Sequence, residues 1–327
     1  MVHKEGWERE KSVNPLSQSQ ITWLENNCPL LDKIVETKPL VGGLVNYNHF
    51  IRAKTGDQHA MFALRIYQFP KRYYVEKQVL ALINDQIPAP TCLFSSEGDS
   101  FSAQPYMLQS WVDGINLRTF AQNNPSIDHL SLLAHQLGKV LADIHRFSFK
   151  MFGFFGEDLE LLESLDITPI GFVGYMNHFL TQRRVIKALG PVVSERLLNW
   201  VTKNSHHLTS INSTPCLTHM DFNYPNLFVN VEERGLTLSG VIDWEFAASA
   251  TGLFDLANLL RYETSLDKPA VKELIRSYIN HGGQLPDNWE VLVRLLDSLS
   301  LCSLISEQNV NDVAIGEMKK YFLSIVE

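Results

Sequence analysis

CLTHMDFNYPNLFVN at residues 216–230, followed at 240–257 by GVIDWEFAASATGLFDLA, is the stretch on which the fold of this chain turns. Its apolar runs, Leu227 to Val231 and Leu238 to Ile242, have the length and residue types of short strands, and Glu232–Gly235 between them supplies a turn. Asp221, Asn226 and Asp243 interrupt this pattern with an acid, an amide and a second acid at loops or strand ends, where a rigid scaffold presents its chemistry. His219-x-Asp221, an Asn five residues beyond the Asp, and an Asp closing a hydrophobic strand follow the order in which kinases supply their proton-accepting acid and their metal ligands. Phosphoryl transfer asks little covalent chemistry of a protein. It needs a carboxylate to orient a hydroxyl and take its proton, and hard oxygens to hold magnesium on the phosphates. Taken alone, Asn223 and Asn226 beside Pro225 read as turn residues; the ordered set does not.

HMDFNYPNLFV followed by VIDWE resembles the aminoglycoside phosphotransferase and choline-kinase-like family of small-molecule kinases. The resemblance implies an α+β, bilobal protein-kinase-like fold, with an antiparallel sheet and a helix in the N-lobe and a mainly helical C-lobe. Carried over by position, it makes Asp221 the catalytic base, Asn226 and Asp243 the Mg²⁺ ligands, and ATP the phosphoryl donor, with GTP as the alternative. It also makes Asp255 in GLFDLA a brace of the catalytic region, although the residue reads equally well as a helix N-cap ahead of LANLLR.

The upstream segments fall in the order this resemblance requires. KIVETKPLVGGLVNYNHFIRAKTGDQHAMFALRIY (33–67) alternates as three strands, broken at Gly42-Gly43 and around Gly56. The glycine turn lies where a kinase covers the nucleotide phosphates, which makes Gly42 and Gly43 candidate phosphate contacts; alone they read as a hairpin turn. Arg65 ends the apolar strand and stands where kinases place a phosphate-binding lysine, with Glu76 on the next helix to orient it; the other reading is a surface ion pair with Glu76 or Glu36. Pro88 and Pro90 end that helix region, and YMLQSWVDG reads as a strand and turn. In the family this is the hinge that meets the adenine edge, so Gln109 and Trp111 become nucleotide candidates, with a lobe boundary between 112 and 113.

The remainder reads as C-lobe. HLSLLAHQLGKVLADIHRF carries its leucines at helical spacing, and His145 reads as structural. Glu157, Asp158, Glu160, Glu163 and Asp166 read either as a loop receiving a cationic amine or, preferred here, as a solvated helix face on LELLESL. Segments 175–209, 269–282, 288–306 and 311–326 read as helices. The resemblance places the acceptor pocket against the C-terminal helices, with Glu263, Glu307 and Asp312 as candidates. Glu245 is an acceptor or second-metal candidate, or equally a surface strand residue.

Composition narrows the function classes. With 327 residues, 45% hydrophobic and 20% charged, the chain has the make-up of a globular protein with a good core, not of a disordered or fibrous one. A formal net charge of −8 argues against a nucleic-acid partner and suits a cationic acceptor as well as plain solubility. Cys28, Cys92, Cys216 and Cys302 lack metal or disulfide spacing, the first 20 residues lack the apolar core of a leader, and no apolar run approaches membrane-spanning length. The expectation is a cytoplasmic enzyme without a membrane partner, transferring the γ-phosphoryl group to a hydroxyl of a small molecule. The acceptor is left open among aminoglycosides, choline, homoserine, fructosamines and thiol sugars. A non-catalytic nucleotide-binding regulator and a metal-dependent hydrolase remain as other readings, and oligomeric state is not encoded in any pattern.

Overall fold

A computed structural model describes residues 14–40, 46–124, 128–212, 214–233, 235–261, 263, 266–306 and 310–326. Ser17 opens the first helix, α1 (Gln18–Asn27), through a reciprocal capping box with Gln20. The alternating run that follows folds as β1 (Lys33–Leu40), β2 (Tyr47–Thr55) and β3 (Gln58–Ile66). Pro70 starts α2 (Pro70–Ile83), where its missing N–H costs nothing, and β4 (Cys92–Ser96) and β5 (Tyr106–Ser110) complete an antiparallel sheet in the order β1-β2-β3-β5-β4. One face of this sheet packs on α1 through Leu24, Ile51, Leu64 and Leu108, forming a core of its own.

The C-lobe begins with β6 (Ile115–Asn116), α3 (Leu117–Asn123) and α4 (His129–His145). Next come β7 (Gly153–Phe155) and β8 (Leu161–Ser164), followed by α5 (Pro169–Leu180), α6 (Arg183–Leu189) and α7 (Pro191–Asn204). The motif stretch supplies β9 (Cys216–Thr218), β10 (Leu227–Glu232), β11 (Gly235–Val241), β12 (Ala248–Ala250) and α8 (Leu253–Leu260). Helices α9 (Pro269–Asn280), α10 (Trp289–Ser306) and α11 (Asp312–Val326) close the chain. The largest core joins these helices to the buried face of α2, so the N-lobe helix is seated on the C-lobe. Helix α4 lies so close to α9 that a Cβ on Gly138 would stand 2.4 Å from the Leu274 carbonyl oxygen.

One sequence expectation is corrected. LELLESL is not a helix face: Leu161–Ser164 is strand β8, paired antiparallel with β7 (Phe154↔Glu163, Gly153↔Ser164). The hairpin wins because Gly153 lets the backbones close, a Cβ there standing 2.4 Å from the Glu163 carbonyl oxygen. The consequence reaches the site. β7 pairs with β12, and β12 with β9, in a small sheet ordered β8-β7-β12-β9 that carries the chain directly into His219 and Asp221.

Candidate active site

The loop after β9 is held by hydrogen bonds to side chains of α8. Asp255, fully buried, accepts from His219 N (2.9 Å) through Oδ2 and from Met220 N (2.9 Å) through Oδ1. Asn258 adds a bond to Met220 O (3.0 Å). These bonds fix Met220 at φ 67°, a left-handed conformation that an unbranched residue adopts only under constraint. Asp255 is itself aligned by His145, whose Nε2 donates to Oδ2 (3.1 Å) while its Nδ1 accepts from Tyr278 (2.9 Å). The approach is tight: a Cβ on Gly252 would stand 2.3 Å from His145 Nδ1. Gly252, not Asp255, occupies the N-cap position of α8, so the carboxylate is left to serve the loop.

His219 reaches across to the second half of the motif. Its Nδ1 accepts from Asp221 N (3.3 Å), which leaves Nε2–H to donate to Ile242 O (3.0 Å), and burial pushes its pKa down, keeping the ring neutral. Asp221 thereby faces a cleft of about 620 Å³ that it shares with Arg65, Asn226, Asp243 and Glu245. Asn226 Nδ2 donates to Asp221 Oδ2 (2.8 Å) and to its carbonyl oxygen (2.9 Å), and Asn223 Nδ2 donates to Oδ1. Both carboxylate oxygens are therefore aimed. Burial, followed by the nearby Asp243, pushes the Asp221 pKa up to about 7, against the pull of Arg261 and Asn226.

Asp243 sits at φ 71°, ψ 56°, just past the end of β11, and Ile242 N donates to Asn226 O (3.0 Å), which sets the two metal candidates side by side. With both amides giving their N–H groups to Asp221, the oxygens of Asn223 and Asn226 are turned away from it; Asn223 Oδ1 is a buried acceptor without a hydrogen-bond partner. Amide and carboxylate oxygens are the hard donors that suit magnesium. A set this sparse fits an ion that takes its other ligands from phosphates and water. Among the described residues no cluster of three or more His, Cys, Asp or Glu forms an all-protein metal cage.

Arg65 ties the lobes together. Its Nε lies 3.2 Å from Glu76 Oε2, and its Nη2 contacts Asp243 Oδ1 and lies 3.3 Å from Glu245 Oε1. Glu76, fully buried, also accepts from Tyr67 OH (2.6 Å) and from Gln109 Nε2 (3.3 Å). Glu245 accepts from Asn46 Nδ2 (2.6 Å) and pairs with Arg72 (3.5 Å). Burial opposes the Arg65 charge, but Asp243, Glu76 and Glu245 together raise its pKa well above the usual arginine value. Two guanidinium groups thus face three carboxylates. The imbalance appears at Glu245, pushed up to about 7 by burial despite Arg65, and with Asp243 adding to the rise.

The other candidates fall elsewhere. Gln109 lies within the β5 ladder, and Trp111 packs edge-on against Phe50 at 5.1 Å; neither lines the cleft. Glu263 accepts from Lys268 (2.6 Å) and is also outside the cleft lining. Gly42, Gly43 and Glu307 lie outside the described residues. Asp312 is the first residue of α11. Sequence reading missed Asn46, Arg72 and Arg261. The last lines the cleft and forks onto Asp297 (Nε 2.8 Å, Nη2 2.6 Å), for which an acid inside the apolar helix α10 was the available signal. The four cysteines are free thiols. Among the described residues no helix is long and apolar enough to cross a membrane.

Asp221 and Glu245 both bind a proton more tightly in the folded chain than their ordinary values of 3.8 and 4.5 allow. The stability tied to their protonated forms is complete below about pH 4 and is lost as the pH rises through about 7. Metal-free protein should therefore show a falling Tm across this window. Glu245→Gln should flatten the fall, read by thermal unfolding in EDTA. Parallel curves for the variant and the parent would remove Glu245 from this account.

The family model of the phosphotransferase enzyme family (APH) matches residues 36–292, and the chain belongs to that family. Its class is that of a small-molecule kinase with a bilobal kinase-like fold. Among solved structures, it is similar to an aminoglycoside phosphotransferase in complex with GDP and kanamycin, at 17% identity over 88% of this chain and 90% of that one, with a TM-score of 0.67. The macrolide 2′-phosphotransferase MphH of Brachybacterium faecium gives 17% identity, 94% and 98% coverage and 0.61. Spectinomycin phosphotransferase in complex with ADP and spectinomycin gives 15%, 96% and 94%, and 0.60. No curated protein matches the chain in sequence.

Proposed function

We propose that this chain transfers the γ-phosphoryl group of ATP, with GTP as the alternative donor, to a hydroxyl group of a small molecule in a Mg²⁺-dependent reaction. The observation that carries the reading is Asp221, its two oxygens aimed by Asn223 and Asn226 into a cleft shared with Asp243 and Arg65. In the reaction the bond between the γ-phosphorus and the bridging oxygen breaks and leaves ADP, while the acceptor oxygen bonds to phosphorus. The acceptor proton passes to a carboxylate oxygen of Asp221 and then to solvent. A carboxylate whose pKa lies near neutrality suits that task, since it is ionised enough to accept the proton and basic enough to hold it.

Asn226 and Asp243 would hold the magnesium ion, which supplies charge neutralisation and alignment of the phosphates. Arg65 offers a guanidinium to the same phosphates and is oriented by Glu76, which Tyr67 and Gln109 in turn hold in place. In this reading residues 1–112 form the nucleotide lobe and residues 113–327 the catalytic and acceptor lobe. The test is ADP formation from ATP and Mg²⁺ across a library of hydroxyl-bearing small molecules. Acceptor-dependent ADP, lost in Asp221→Ala, is the expected result. Phosphate release from a phosphoester with no acceptor requirement would favour a hydrolase instead.

A further inference from the structure

The part of the cleft on the C-lobe side of Asp221 has its own composition. One wall is β7, which brings Phe154 and Phe155 against the catalytic loop through the small sheet. A second is α5, where Tyr175 and Phe179 stand four residues apart on one helical face. Tyr175 is pinned there, its hydroxyl accepting from Asp166 N (3.2 Å). The third is α10, which presents Leu299, Ser300, Ser303 and Leu304, the spacing of a single face.

The charges of the cleft point the same way. Its described lining holds five cationic side chains against four carboxylates. Three of those carboxylates are committed: Asp243 to Arg65, Glu245 to Arg65, Arg72 and Asn46, and Asp221 to the two asparagines. Glu163, exposed on β8, is the remaining one, and no ion pair to it occurs among the described residues. The chain's net charge of −8 is therefore not gathered in the cleft. A polycationic acceptor would find a single uncommitted carboxylate in the described lining, and most of its ammonium groups would lose water without gaining a charged partner.

We infer that the acceptor is an alcohol with an apolar, ring-bearing body and at most one ammonium group, its body packed against Phe154, Tyr175 and Phe179 and its charge near Glu163. This inference rests on the phosphoryl-transfer reading and names the substrate class of that site. Aromatic walls suit both an apolar ring and a single cation over a ring face.

The test is a calorimetric titration of the full chain with 2-aminoethanol, 2-amino-1-phenylethanol and kanamycin at neutral pH. Adding the phenyl group is expected to tighten binding about tenfold, the effect of burying one ring imperfectly. Kanamycin is expected to bind more weakly than the phenyl compound. Phe179→Ala should remove most of the phenyl gain, with Phe179→Leu retaining more of it; near-UV circular dichroism verifies that each variant is folded. Should Phe179→Ala fail to fold, Leu304→Gln on the opposite wall takes its place. Kanamycin binding tighter than the phenyl compound would overturn the inference, and so would the absence of any phenyl gain or a gain indifferent to both walls. A separate titration with ATP and Mg²⁺ keeps the two readings distinguishable: loss of nucleotide binding counts against phosphoryl transfer, whereas the ranking of the three probes bears on the acceptor bay alone.

Discussion

Asp221→Asn is expected to lower acceptor-dependent ADP formation by about 10²–10⁴-fold, the range for removing a positioned general base. The substitution keeps the size of the side chain, and Asn223 and Asn226 still frame it. Stability should change little, because two effects oppose each other. The amide accepts only one of the two hydrogen bonds that the carboxylate accepts, a loss of about 1 kcal/mol. It also removes a buried charge whose ionisation is already disfavoured, as the upward shift to about 7 shows. Equal rates of ADP formation in the variant and the parent would dismiss Asp221 as the base, and a large fall in Tm would make its role structural.

Asp255→Ala is expected to act through a different link, the geometry of the loop. The substitution strips the acceptors from the buried His219 N and the half-buried Met220 N, and leaves His145 Nε2 without its partner. An orphaned buried donor costs about 1–3 kcal/mol, which applies to the His219 amide, and the half-buried Met220 amide adds less. That is a large share of the 5–15 kcal/mol typical of a folded domain. The loop also loses what holds Met220 at positive φ, so Asp221 is no longer aimed and turnover should fall with stability. Asp255→Asn, which retains one acceptor oxygen, should fall between parent and alanine variant. Urea unfolding measures the first effect and ADP formation the second. A cost below about 1 kcal/mol would show that the loop keeps its shape without the brace.

How much of this was legible in the sequence depends on the distance over which each contact acts. Asp221, Asn226 and their loop are local: the amide that aims the carboxylate lies five residues away, so the two fall within one ordered motif that the sequence displays. The three-strand run at 33–67 and the helical leucines of α4 were legible for the same reason, since alternation and helical period are written within one element. The lobe-bridging cluster was not. Asn46 and Glu245 are 199 residues apart, and Arg72 and Glu245 are 173 apart, and each taken alone is an ordinary polar residue. The β7–β8 hairpin was misread because LELLESL is too short for its period to separate strand from helix, and the deciding contact is a glycine on the neighbouring strand. The acceptor walls come from β7, α5 and α10, whose cleft-facing residues assemble only in three dimensions.

The central claim is that Asp221, Asn226, Asp243 and Arg65 form a Mg²⁺–nucleotide phosphotransfer centre. Its most direct test is calorimetric titration of ATP into the parent and into Asp243→Asn, each with and without Mg²⁺. The expected result is nucleotide binding that strengthens with Mg²⁺ in the parent, a strengthening lost in Asp243→Asn, whose amide offers the ion one neutral oxygen in place of a carboxylate. Binding indifferent to Mg²⁺, or equally Mg²⁺-dependent in both proteins, would contradict it.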